Sequence, residues 1–133
     1  MFQDRSHLLP PRSFAKLVGA TVADLDGDGQ FEIFLAAANG PNRLLKWTGT
    51  GLRDVAPPVL AAGARDGRGA GAPDCDGDGR EELYLLNEGS DADRLFDPRP
   101  DGWSDLLAMP GPRAARGPHP GRAVAAFDRR GHG

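Results

Sequence analysis

Short apolar runs separated by turn residues make up most of this chain. Residues 33–36 and 83–86 are apolar throughout, and each run is followed within a few residues by Asn and Gly, which favour turns. Every run has the length of a strand and none has the length of a helix. The pattern predicts an all-β chain with strands at residues 21–23, 31–37, 43–47, 52–55, 70–73, 82–86, 93–96 and 103–107, and a further possible strand at 14–18.

The chain repeats itself with a period of about fifty residues. Residues 19–60 align with residues 69–111, and a third copy begins near Gly121. Four short strands in a repeat of about 40–50 residues are typical of a β-propeller blade. A ring requires about 4–8 blades, so we predict a propeller fragment. Its predicted parts are a lead-in segment (1–18), blade 1 (19–68), blade 2 (69–120) and a truncated, degenerate blade 3 (121–133).

Each full repeat carries an acidic nine-residue loop, 24–32 and 74–82, with carboxylates at positions 1, 3, 5 and 9 and Gly at position 6. Carboxylates this close repel one another unless a cation lies between them, and Ca²⁺ prefers such oxygen ligands around a glycine turn. The sequence therefore predicts two Ca²⁺ ions. The predicted ligands are the side chains of Asp24, Asp26, Asp28, Glu32, Asp74, Asp76, Asp78 and Glu82, with the backbone carbonyls of Gln30 and Arg80.

Other types of acidic loop fit this spacing less well. An EF-hand needs a glutamate at position 12 and flanking helices, but position 12 is Leu35 or Leu85 and the flanks are strand-like. The calcium-binding nonapeptide of β-helices is absent. Mg²⁺ prefers fewer carboxylates and more water, and solvated turns without metal are the remaining alternative. The third copy keeps only Asp128, so no ion is expected there.

The pattern Asp-x-Asp-Gly-Asp-Gly-x-x-Glu, followed by an apolar strand and Asn-Arg-Leu, resembles the FG-GAP (VCBS) repeat of integrin-α-type propellers. The stretches 22–29, 40–44, 54–56 and 67–71 resemble the subset associated with an ASPIC/UnbV domain, the cartilage acidic protein 1-like family. The resemblance covers roughly residues 14–133. It implies Ca²⁺ used structurally in the inter-strand loops of extracellular, cell-surface or periplasmic proteins engaged in adhesion or matrix contact.

Composition adds limits on partners and location. The formal net charge is −3, and eight of the 19 acidic residues are the predicted ligands, so the acidity is local and no nucleic-acid partner is expected. The first ten residues contain no apolar signal-peptide core. No apolar run approaches the roughly 18 residues that cross a bilayer, so we expect no membrane insertion.

The histidines and the single cysteine suggest no catalysis. His7, His119 and His132 have no Ser, Cys or acid partner at a recognisable spacing, and no hydrolase, zinc-protease or phosphate-loop motif occurs. Cys75 occupies loop position 2, as Leu25 does in the first loop, which predicts a small core residue.

Two tryptophans leave a second function open. Trp47 and Trp103 lie near blade ends; we predict that they belong to the blade cores, with a sugar-binding platform as the alternative. The predicted function is a non-catalytic, calcium-binding scaffold whose partners are other proteins or the remaining blades. A lectin-like propeller that binds a glycan and an accessory repeat of a larger enzyme are the alternatives.

Overall fold

Two four-stranded antiparallel sheets form the described part of the chain. The computed structural model describes residues 1–11, 15–61, 67–89 and 91–108. Each sheet is a simple meander in which consecutive strands are neighbours. The first contains β1 (Leu17–Ala23), β2 (Glu32–Ala37), β3 (Arg43–Trp47) and β4 (Leu52–Asp54), and the second contains β5 (Gly67–Gly71), β6 (Leu83–Asn87), β7 (Arg94–Arg99) and β8 (Gly102–Asp105).

These sheets confirm the predicted all-β class and the blade-like repeat. The described helices are one 3-10 turn (Ser6–Leu8) and the short α1 (Pro58–Ala61), and neither is long and apolar enough to span a bilayer. The predicted third copy lies outside the described residues.

The bounds of β1, β5 and β7 differ most from the prediction: β1 begins at residue 17 and not 21, and β7 ends at residue 99 and not 96. The sequence predicts a connection over residues 57–69, but this segment contains α1 and the start of β5. β5 begins at Gly67, which has no side chain to reveal a strand pattern, and it ends before Pro73. Proline lacks the N–H that a ladder needs, which agrees with its place outside the strand.

The core lies between the two sheets, and the sheets contribute opposite faces to it. Phe34 of β2 is fully buried, while its repeat counterpart Tyr84 in β6 is only half-buried. The reverse holds one position further along, where Leu85 is fully buried and Leu35 is half-buried. Because neighbouring strand residues point to opposite faces, this inversion shows that the sheets stack front to back, as successive blades do.

The prediction of a core position is wrong for Trp47. Trp47 is the last residue of β3, next to the turn into β4, and its side chain is 41% exposed. Trp103 packs partly buried against the core cluster. Trp103 lines the cleft beside the first acidic loop, whereas Trp47 ends β3 at the turn into β4.

Candidate metal centre

The two acidic loops share one backbone shape. Gly27 and Gly29 have φ angles of 74° and 85°, and Gly77 and Gly79 have angles of 78° and 93°. Residues with a side chain rarely adopt this left-handed backbone region. Glycine at loop positions 4 and 6 therefore lets the chain turn twice within nine residues.

The first aspartate of each loop accepts a hydrogen bond from the backbone of the glycine at loop position 6. Asp24 Oδ2 accepts a hydrogen bond of 2.8 Å from the backbone N–H of Gly29, and Asp74 Oδ2 accepts one of 3.1 Å from Gly79. The fifth-position aspartates accept bonds from the backbone N–H two residues on, in both loops. These contacts leave the carboxylates gathered on the concave side of each turn.

The glutamate at position 9 anchors each loop to the strand that follows it. Glu32 and Glu82 are each only 1% exposed. Their Oε2 atoms accept hydrogen bonds from the backbone N–H at loop position 2, which belongs to Leu25 in the first loop (3.0 Å) and Cys75 in the second. The second oxygen, Oε1, accepts no hydrogen bond from the described residues in either loop, but in the first loop it forms an ion pair.

In the first loop this partner is Lys46, which reaches in from β3. Its Nζ contacts Asp26 Oδ2, lies 2.6 Å from Asp28 Oδ2 and lies 3.2 Å from Glu32 Oε1. Hydrogen bonds with Asp26 and Asp28 raise the pKa of Lys46, and the same bond to Lys46 lowers the pKa of Asp28. The first loop therefore contains a cation that belongs to the chain itself.

In the second loop all four carboxylates converge. One carboxylate oxygen from each of four residues lies within 4.8 Å of the others: Asp74, Asp76, Asp78 and Glu82. In the first loop the three aspartates converge in this way. Glu82 Oε1 has no hydrogen-bond partner among the described residues, and burial, reinforced by the charges of Asp76 and Asp97, raises the pKa of Glu82.

The residue equivalent to Lys46 in the second sheet is Asp97. β2 pairs Ile33 with Leu45 and β6 pairs Leu83 with Phe96, so the next residues, Lys46 and Asp97, occupy the same place in β3 and β7. Asp97 is 3% exposed and forms an ion pair with Arg99. Sequence analysis of the loops alone missed both residues, although the repeat alignment continued through the next strand would have shown the lysine-to-aspartate exchange.

The structure thus gathers seven of the eight predicted carboxylates into two clusters, and Glu32 is joined to the first cluster through Lys46. The backbone N–H groups of Gln30 and Arg80 bind the fifth-position aspartates. Coordination by the carbonyls of these two residues stays a prediction.

The prediction that Cys75 is a core residue is wrong. Leu25, at the same loop position, is 2% exposed and belongs to the core cluster between the sheets, whereas Cys75 is exposed. The physical reason is the front-to-back stacking. The second sheet covers the side of the first loop on which Leu25 lies, and Cys75 lies on the open side of the second sheet.

A cleft of about 390 Å³ separates the first loop from the second sheet. Its polar lining combines acids of the loop with arginines, and Trp103 supplies an aromatic surface. The lining residues used below are Asp24, Asp26, Arg80, Arg99 and Trp103.

Four-stranded blades with an acidic loop between their first two strands define a class of repeat protein. The FG-GAP-like repeat family model matches residues 24–85, from the first acidic loop into β6. This stretch of the chain is FG-GAP-like repeat sequence.

The chain is also similar to cartilage acidic protein 1. It is 38% identical to the Homo sapiens protein, over 86% of this chain and 20% of that protein. Identity is 35% to the Xenopus tropicalis protein and 38% to the Mus musculus protein, each over 86% of this chain and 21% of the relative. The chain therefore spans about one fifth of the length of these relatives.

Proposed function

We propose that this chain is a calcium-binding, non-catalytic repeat module of a β-propeller that serves as an interaction scaffold. The observation that carries the proposal is the convergence of four carboxylates in the second loop, one of them Glu82, whose buried Oε1 has no hydrogen-bond partner among the described residues. A buried carboxylate oxygen without a hydrogen-bond donor is costly, and a bound cation removes that cost.

Ca²⁺ is the cation that suits this ligand set. The converging groups are all carboxylate oxygens, which hard cations prefer, and Ca²⁺ accepts irregular geometry with many oxygen ligands. Mg²⁺ demands a strict octahedron and usually keeps several waters. The loop is short, so we expect a dissociation constant near that of extracellular calcium modules, roughly 10⁻⁴–10⁻³ M.

The scaffold role rests on the sheet faces and on the family. The half-buried apolar side chains of Leu35 and Tyr84 lie on the two outward faces of the sheet pair, where further blades or another protein would cover them. Resemblance to the cartilage acidic protein 1-like family favours an extracellular role in adhesion or matrix contact. Bound calcium would stiffen the loop edge of each blade and perform no chemistry.

Titration calorimetry tests calcium binding directly. We expect the 133-residue chain to bind Ca²⁺ in preference to Mg²⁺, and the double variant Asp26→Ala/Asp76→Ala to lose the response. The matched control is Asp4→Ala/Asp101→Ala, which removes the same charge at exposed positions outside the loops. An equal calcium response in the wild type and the loop variant would exclude the loops as the site.

Glycan binding is a second candidate, supported by the cleft beside the first loop. Trp103 lines it together with Arg80, Arg99 and two loop aspartates, so an aromatic face stands beside polar groups that could hold sugar hydroxyls. A glycan array with the wild type, Trp103→Ala and Trp47→Ala would test this. Binding lost only in Trp103→Ala supports the cleft, and an array without signal rejects the candidate.

A further inference from the structure

The ammonium group of Lys46 is placed where a loop of this type would hold its ion. It meets carboxylates from loop positions 3, 5 and 9, at 2.6 Å from Asp28 Oδ2 and 3.2 Å from Glu32 Oε1. The Lys46 side chain is 20% exposed and Glu32 only 1%, so the contact lies at the inner side of the loop. The ammonium group donates hydrogen bonds to Asp26 and Asp28, and its contact with Glu32 Oε1 is an ion pair without hydrogen-bond geometry.

Beside the second loop, the position equivalent to Lys46 is occupied by the negatively charged Asp97. Four loop carboxylates and Lys46 leave the first cluster with three negative charges, whereas four loop carboxylates, Asp97 and its ion-pair partner Arg99 leave the second with four. Oε1 of Glu32 and Oε1 of Glu82 both lack a hydrogen-bond donor among the described residues, but Glu32 has an ion pair with Lys46, whereas no ion pair within this part of the chain reaches Glu82. The two loops therefore differ in their need for an added cation, although their nine-residue motifs match.

We infer that the two loops are held by different cations: the first by the chain's own Lys46 ammonium, without a metal ion, and the second by one bound Ca²⁺. The inference rests on the proposed function for the second loop. The chain then binds one ion, and not the two that the sequence predicts. The first loop keeps its shape in calcium-free solution, so the calcium response of this pair of blades is confined to the second one.

The exclusion of an ion from the first loop has a direct physical cause. A divalent ion entering the loop would meet a positive charge within hydrogen-bonding distance of the same oxygens, so Lys46 would have to leave first. That departure breaks three charge-assisted contacts, one of them to the buried Glu32. In the second loop the equivalent side chain, Asp97, is itself a carboxylate and opposes no cation.

Site-resolved calcium titration by NMR on the 133-residue chain separates the two loops. The amides of Gly29 and Gly79 report them, because each donates to the first aspartate of its own loop. We expect calcium to shift Gly79 and leave Gly29 in place, with one ion bound per chain in equilibrium dialysis. Asp76→Asn should weaken this binding about tenfold or more, and Asp26→Asn should leave it unchanged.

Exchanging the two equivalent residues provides the stronger test. Lys46→Gln removes the internal cation, so Gly29 should become calcium-responsive and the number of bound ions should rise from one to two. Asp97→Lys transfers the lysine to the second loop and should abolish the calcium shift of Gly79. Circular dichroism shows beforehand whether each variant folds. If only one of them folds, that variant alone tests the inference.

The possible outcomes separate this inference from the proposed function. Two ions in the wild type, with Gly29 and Gly79 both shifting and Asp26→Asn removing one ion, would overturn the lysine-held first loop and leave calcium binding intact. An unchanged single ion in both Lys46→Gln and Asp97→Lys would overturn it as well. A wild type that binds no calcium in dialysis and shows no amide shift would overturn the proposed function together with the inference.

Discussion

Gly19 of β1 and Gly69 of β5 lie directly against each other where the two sheets meet. A Cβ atom on Gly19 would lie 2.7 Å from the Cα of Gly69 and 3.1 Å from the backbone N of Ala70. Contacts of this length to backbone atoms do not relax by a side-chain rotation. The first strands of the two blades therefore approach at a distance that only glycine at position 19 permits.

We expect Gly19→Ala to lower the free energy of unfolding by about 1–3 kcal/mol, because the methyl group overpacks the contact between the blades. Urea unfolding followed by far-ultraviolet circular dichroism measures the change. The matched control is Gly69→Ala, because a Cβ there meets nothing within 4 Å and Gly69 has no positive φ. This control should be neutral or stabilising by about 0.4–1 kcal/mol; equal losses in the two variants would contradict the packing explanation.

The glutamates at loop position 9 should respond in opposite directions to the same substitution. In calcium-free buffer, Glu32→Gln removes the ion pair with Lys46 and should destabilise the chain by about 1–3 kcal/mol. Glu82→Gln removes a buried charge that, unlike Glu32, has no ion pair among the described residues, and should stabilise the chain by about 1 kcal/mol. Thermal unfolding in the presence of a chelator distinguishes them, and changes of the same sign would contradict the difference between the loops.

The strands were largely predictable because apolar runs and turn residues alternate at a fixed period. β2, β3 and β6 lie within a residue of their expected bounds. β5 was harder to delimit because its first residues are Gly67, Arg68 and Gly69, which present no alternation of polar and apolar side chains. A Cβ on Gly67 would lie 2.6 Å from the carbonyl oxygen of Ala37 in β2, and a long-range contact of this kind leaves no local pattern.

The sequence motifs predicted the acidic loops, but they did not predict which charged residue of the next strand lies beside each loop. Position within the nine residues identified all eight carboxylates, while Lys46 and Asp97 lie on the following hairpin strand, 14 and 15 residues after the last loop glutamates. Only the register of β2 with β3 and of β6 with β7 places them beside the loops. The exposure of Cys75 could not be predicted for a similar reason, since it depends on which face of each sheet is covered.

Asp54 should make the first blade sensitive to acid. Burial alone would raise the pKa of Asp54, but hydrogen bonds from Arg43 and from the backbone N–H groups of Ala56 and Leu44 lower it below its usual value. A lowered folded-state pKa stabilises the fold at pH values above the unfolded pKa of about 3.9, and the stabilisation is lost as the pH falls through the folded value.

The variant Asp54→Asn tests this contribution. At neutral pH it should lower the free energy of unfolding by no more than about 1 kcal/mol, because the Asp54 side chain is one-third exposed and solvent screens the ion pair. At about pH 2 the wild type and the variant should be equally stable, since both groups are then neutral. Urea unfolding at the two pH values measures this, with the exposed turn residue Asp101→Asn as control. If the two proteins differ in free energy of unfolding by the same amount at both pH values, the effect comes from altered packing or hydrogen bonding and not from the charge of Asp54.

The outward face of the first sheet in one chain should bind the outward face of the second sheet in another chain. Leu35, on the outer face of the first sheet, is the repeat counterpart of Leu85, which the core buries against the first sheet. Leu86, on the outer face of the second sheet, is the counterpart of Ala36, which the core buries against the second sheet. The outward Leu86 face of one chain therefore resembles the Ala36 face, and the outward Leu35 face of another chain resembles the Leu85 face. Because the Ala36 and Leu85 faces already pack together within each chain, this favours head-to-tail association.

Sedimentation velocity over a range of concentrations should show the 133-residue chain self-associating beyond a monomer. Leu35→Glu and Leu86→Glu should each be monomeric alone, because a charge on either face blocks the contact that every head-to-tail pair requires. An equimolar mixture of the two variants should form a dimer and stop there, since one open face of each kind remains. Val59→Glu, at an exposed position in α1, is the control and should associate as the wild type does. A mixture that stays monomeric, or a Leu35→Glu chain that still associates, would show that the sheet faces do not pair in this way.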